Sequence, residues 1–181
     1  MTYVGLLRGI NVGGQNKLPM KDLVAMFTAA GCAGTQTFIQ SGNVIFTAKP
    51  ALAARLPVLV AAQIAERYGY RSPVVLRTTE QVAQVLAGNP FLKAGAPPDG
   101  LHVMFLDVTP AAQRVAALDP QRSPGDEYRV CGQEIYLRLP NGVARSKLTN
   151  AYFDSKLATT STARNWRTVG KLYDLMCTCG S

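Results

Sequence analysis

Thr159-Thr-Ser-Thr-Ala-Arg-Asn-Trp-Arg-Thr168 passes from hydroxyl and β-branched residues into the last apolar helical pattern of the chain. Its first part, Thr160 to Arg164, reads as a short strand or extended segment. Asn165 then stands where a helix N-cap belongs, because its side-chain oxygen can take a backbone N–H of the first turn. Trp166, Val169, Leu172, Tyr173 and Met176 follow at spacings that put them on one helix face. A similar passage occurs earlier. Pro73 to Arg77 reads as a strand, and Thr78-x-x-Gln81 as a capping box that opens a helix carrying Val82, Val85 and Leu86. Arg77 and Arg164 therefore occupy matching strand-to-helix turns, and that match decides how the whole chain is read.

Upstream of Arg77, Tyr3 to Leu7 predicts a buried strand. Pro19 suits the first turn of a helix. Met20, Leu23, Val24 and Phe27 form its apolar face, and Gly31 supplies a left-handed cap. Thr35–Gln40 and Val44–Thr47 read as strands joined by a hairpin turn at Ser41-Gly42-Asn43. Leu56, Val60, Ile64 and Tyr68 mark a second helix, with residues 51–55 a separate turn before Pro57. Upstream of Arg164 the order returns. His102 to Val108 is a strand, Thr109 with Pro110 caps a helix containing Val115 and Leu118, and Tyr128–Cys131 and Glu134–Leu139 are strands around Gly132-Gln133. Ser146 then caps a helix that runs to Leu157.

Each half opens with the order βαββαβ. The expected fold class is α+β, a tandem duplication of two ferredoxin-like subdomains packed together as one compact unit. The first spans residues 1–93 and the second 101–181, with Ala94-Gly-Ala-Pro-Pro-Asp-Gly100 as the linker.

Composition bounds the rest. The chain has 181 residues, 48% hydrophobic and 17% charged, a globular and not a disordered balance. No apolar run reaches the roughly 20 residues a membrane helix needs. Met1-Thr-Tyr-Val-Gly-Leu-Leu-Arg8 lacks the basic start and cleavage site of a signal peptide, so a cytoplasmic location is expected. The formal net charge is +8. Between Arg138 and Lys171 seven basic residues face one acidic residue, Asp154. Such a stretch attracts phosphates, other anions or nucleic acid, or serves as a solvated face. The four cysteines include no Cys-x-x-Cys pair and suit reduced thiols. With His102 the one histidine, and set in an apolar strand, neither a metal site nor any cofactor is expected.

Three further stretches carry polar groups at turns. Gly9-Ile-Asn-Val-Gly-Gly-Gln-Asn-Lys17 lacks the Gly-Lys-Ser/Thr ending of a P-loop, which leaves either a tight loop or a backbone cradle for an anion. Gln40, Ser41 and Asn43 offer neutral hydrogen bonds at a hairpin tip, to a ligand or to the turn itself. Ser146-Lys147 offers a hydroxyl and an ammonium at a helix start, for capping or anion contact. In the opening stretch, Thr162, Arg164, Asn165 and Trp166 bring together a guanidinium that can fork onto a carboxylate or phosphate and a ring that can stack on a base. Their structural alternatives are a salt bridge from Arg164 to Asp107 or Asp154 and burial of Trp166. No paired catalytic carboxylates or nucleophile elbow occur. Asp107, at a strand end, is the acid an enzyme would have to use.

Leu6-Leu-Arg-Gly-Ile-Asn-Val-Gly-Gly14, Gln40-Ser-Gly-Asn-Val44, Asn89-Pro-Phe91, Ser146-Lys-Leu148 and Thr162-Ala-Arg-Asn-Trp166 together resemble, in order, the signatures of the domain of unknown function 1697 family. Phe38 stands where that pattern has tyrosine. The resemblance implies a two-subdomain α+β fold, bacterial cytoplasmic occurrence and no established activity. Its motif residues here are Arg8, Asn11, Gln40, Ser41, Asn43, Ser146, Lys147, Thr162, Arg164, Asn165 and Trp166. The expectation is that they converge in a cleft between the subdomains on an anionic small molecule or nucleic acid. The alternatives are that they lock the fold or support association with protein, or that they serve an enzyme on a phosphorylated or acyl substrate.

Overall fold

A computed structural model describes residues 1–179. The chain divides into two units, one of Met1–Ala83 with Lys171 onward, the other of Gln84–Gly170. Both divisions fall inside helices. Each unit holds one four-stranded, wholly antiparallel sheet.

The first unit runs β1 (Thr2–Leu7), α1 (Met20–Ala29), β2 (Ala33–Phe38), β3 (Asn43–Thr47), α2 (Pro50–Ala53), α3 (Leu56–Tyr68), β4 (Val74–Thr78) and into α4 (Thr79–Gly88), with sheet order β2-β3-β1-β4. One face carries Tyr3, Leu7, Val44, Phe46 and Val74 into a core with Leu23, Phe27, Leu56, Val60 and Ile64 of α1 and α3. These are the apolar positions the helical periodicity marks. Phe27 and Phe46 meet at 5.0 Å between ring centroids. The approach of Phe27 to β1 depends on Gly5, where an added Cβ would lie 3.3 Å from the ring. Pro19 sits just before α1 in extended conformation instead of within its first turn, and Gly31 (φ 99°) follows the helix as expected. The capping box opens α4: Thr78 N–H donates to Gln81 Oε1 at 2.9 Å, and Gln81 N–H to Thr78 Oγ1 at 3.3 Å.

The second unit takes the end of α4, then α5 (Pro90–Lys93), β5 (Leu101–Leu106), α6 (Ala112–Ala116), β6 (Glu127–Cys131), β7 (Glu134–Arg138), a 3-10 turn (Val143–Arg145), α7 (Asn150–Leu157), β8 (Ser161–Asn165) and the start of α8 (Trp166–Cys179), with sheet order β6-β7-β5-β8. Met104, Leu106, Ile135 and Leu137 meet Leu148, Phe153 and Leu157 in its core.

Two expected helix starts here are corrected. Thr109 does not cap α6, whose N-cap is Ala111 with no side-chain bond. Ser146 does not cap α7. That helix begins at Asn150 under Thr149, whose Oγ1 accepts Tyr152 N–H at 3.2 Å. Ser146 and Thr149 are both competent caps three residues apart. The turn at Gly142 (φ 81°) leads into the 3-10 segment, and the second hydroxyl takes the role.

Candidate functional site

In the first unit the motif residues are fastened to one another. Asn11, itself in left-handed conformation (φ 52°), donates through Nδ2 to Leu18 O at 3.0 Å and Gln40 O at 2.9 Å, and its Oδ1 accepts Leu18 N–H at 2.9 Å. One side chain thus joins the glycine-rich loop to the β2–β3 hairpin 29 residues away. In that hairpin the buried Asn43 donates to Phe38 O at 3.1 Å and Ser41 Oγ at 3.0 Å. The Gln40 side chain is exposed. Arg8 is half-buried, and its backbone is held by Pro73 O and by Ser72 Oγ.

In the second unit Arg164 and Thr162 point to one face of β8. Arg164 is 8% exposed, and its Nη1 donates to Thr162 Oγ1 at 2.8 Å and Ala163 O at 2.7 Å. Burial pulls its guanidinium down to about 10, so it stays protonated at neutral pH. Asn165 caps α8 as expected, its Oδ1 accepting Thr168 N–H at 2.8 Å. Trp166 is half-buried and not a core residue, whereas Val169, Leu172 and Met176 of the same helix are buried. Ser146 Oγ accepts Leu148 N–H at 3.1 Å. The Lys147 side chain is exposed, while its backbone N–H donates to Ser123 Oγ. Elsewhere in the basic stretch, Arg138 pairs with Glu127 across β6–β7 at 2.6 Å, and Arg167 with Asp99 at 2.7 Å in solvent, where such a pair is worth little.

Sequence reasoning missed one network. Ser161 Oγ donates to Asp154 Oδ1 at 2.6 Å and accepts from Asn150 Nδ2 at 2.8 Å, tying the first and fifth residues of α7 to β8. Alternation along β8 was the available signal, because Ser161 falls on the core side. Asp107 is used locally: its Oδ1 accepts Thr159 Oγ1 at 2.7 Å and Thr160 N–H at 2.8 Å. Among the described residues no cluster of three or more His, Cys, Asp or Glu is placed to hold a metal, and no helix is long and apolar enough to cross a membrane.

His102 is half-buried, and burial holds its imidazolium below the ordinary 6.5. The unfolded chain therefore binds more protons than the folded one as pH falls below 6.5. The stability present at neutral pH is expected to decline through that window. Denaturant midpoints measured from pH 7.5 down to about 5 should show the decline in the parent chain and a flatter profile in His102→Gln. An equal slope in both would rule His102 out as its source.

Two four-stranded antiparallel sheets with helices between their strands define a two-unit α+β protein. The chain belongs to DUF1697, a family of proteins of unknown function whose profile matches residues 1–136. It is similar over 97% of its length, and 98% of the other chain, to the conserved bacterial protein SP0830 from Streptococcus pneumoniae, with TM-score 0.65 and 20% identity. That likeness is one of fold. No curated protein matches the chain.

Proposed function

We propose that the chain binds an anionic ligand, a nucleotide, phosphorylated metabolite or single-stranded nucleic acid, with Arg164 supplying positive charge. The observation that carries this reading is the buried, protonated Arg164, set beside Thr162 on β8. A guanidinium can fork onto a phosphate or carboxylate. Thr162 Oγ1 accepts from the guanidinium and orients it.

The half-buried Trp166, two residues from Arg164, provides the test. Its fluorescence is followed while adenosine triphosphate, inorganic phosphate or a short single-stranded oligonucleotide is added at low and high salt. A saturable change that survives salt and weakens at least about tenfold in Arg164→Gln is expected for a charge-assisted site. Circular dichroism and a urea midpoint of Arg164→Gln check that the loss is not one of folding. A response to the oligonucleotide alone, falling steeply with salt, assigns the ligand to nucleic acid. Silence with all three sinks the proposal.

A second reading suits the first unit. The three bonds of Asn11 favour a scaffolding role for Asn11, Gln40, Ser41 and Asn43, which needs no ligand.

The two units are further read as products of tandem duplication of a ferredoxin-like βαββαβ element, with residues 94–100 joining residues 1–93 to 101–181. Matching sheet orders support this. So does the register: Arg77 pairs with Val4 and Arg164 with Val103, each on the strand that feeds the unit's closing helix. Both arginines are buried, and each donates Nη1 to the preceding residue's carbonyl, at 2.8 and 2.7 Å. Four free thiols are in keeping with a cytoplasmic location.

A further inference from the structure

The second unit holds a cavity of about 180 Å³ between its sheet and the segment that leads into α7. Its floor is the helix-covered face of the sheet. His102 stands beside Leu137, and Met104 beside Ala163, as directly paired residues that share a face. Its roof comes from the segment after β7, through Leu148, Thr149 and Asn150.

The lining is apolar apart from three groups, and their bonding is specific. Thr149 Oγ1 already accepts Tyr152 N–H, and Asn150 Nδ2 already donates to Ser161 Oγ. His102 Nδ1 lies 3.3 Å from Gly100 O. A carbonyl oxygen can only accept, so this contact requires the proton on Nδ1 and leaves a lone pair on Nε2. Burial favours that neutral ring.

We infer that this cavity binds a small neutral molecule, one ring or an equally compact group in size, with an apolar body and one O–H or N–H that donates to His102 Nε2. The volume fits, since an apolar cavity of about 150 Å³ accommodates benzene. An ion is disfavoured because the lining offers it no opposite charge. This site goes beyond the anion reading and is separate from it, because Arg164 follows Ala163 on β8 and points to the other face of the sheet.

The test uses the full chain, isotope-labelled, titrated with phenol, toluene and benzoate under nuclear magnetic resonance. Phenol is expected to bind saturably, to shift Leu137, Leu148 and Ala163, and to bind about fivefold or more tighter than toluene, the factor of one hydrogen bond. His102→Phe should remove that preference. Ala163→Leu should fill the cavity and abolish both, with circular dichroism unchanged. Equal affinity for phenol and toluene in the parent chain, tighter benzoate, shifts confined to other residues, or no binding would each overturn the proposal. The anion titration does not depend on the outcome, as it uses other residues and another ligand chemistry.

Discussion

Gly42→Ala is expected to destabilise the protein by about 2–5 kcal/mol, the sum of a left-handed backbone cost and forced overpacking. Gly42 has φ 76° and sits where the β2–β3 hairpin presses on the glycine-rich loop. An added Cβ would lie 2.8 Å from Leu7 Cβ and 2.7 Å from Ile10 Cδ1. Leu7 and Ile10 are both buried, and Leu7 N–H donates to Gly42 O at 2.8 Å, so none of the three can yield freely. The control is Gly13→Ala. Gly13 has φ 58° and nothing within 4 Å of its added Cβ, so it bears the backbone cost alone, about 1–2 kcal/mol. Urea midpoints of the two variants separate the terms. If Gly42→Ala loses no more than Gly13→Ala, the contact with Leu7 and Ile10 is not tight.

This contact explains why two distant motifs belong together. Gly42 fills the space against Leu7 and Ile10, while Asn11 reaches Gln40 O. The element order, the hairpin positions and the helix faces were readable because each depends on residues a few places apart. The caps at Thr78, Gln81 and Asn165 were readable for the same reason. The role of Asn11 was not, since its partner is 29 residues away and is a backbone oxygen, which leaves no mark in side-chain pattern. Ser146 misled because local chemistry cannot rank two good caps, and the winner followed the turn at Gly142. Trp166 misled in another way. Its phase matches that of Val169 and Met176, yet it is the first residue of α8, where the core need not extend. The cavity beside His102 was illegible for a related reason: its walls come from β5, β7, β8 and the segment before α7, which meet only in the fold.

Phe153→Ala is expected to cost about 3–5 kcal/mol, the range for emptying a large aromatic site in a core. Phe153 is fully buried on α7 and is the aromatic centre of the second unit's core. Its ring meets Tyr128 edge-on at 5.4 Å and Tyr152 at 5.1 Å, and such pairs add about 0.5–1.5 kcal/mol beyond area alone. Tyr152→Ala is the informative companion. Tyr152 is only half-buried; its hydroxyl accepts Asp119 N–H at 3.1 Å, and the Arg122 guanidinium lies 5.0 Å from its ring. Losing one exposed hydrogen bond, one exposed cation–π contact and the ring contact with Phe153 should cost about 2–3 kcal/mol. Both variants keep Thr149 and Ser161, so α7 retains its cap and its tie to β8, and the difference reports on packing. Guanidinium unfolding followed by circular dichroism gives both values. Equal losses from the two substitutions would mean that α7 is held by its polar contacts and not by Phe153.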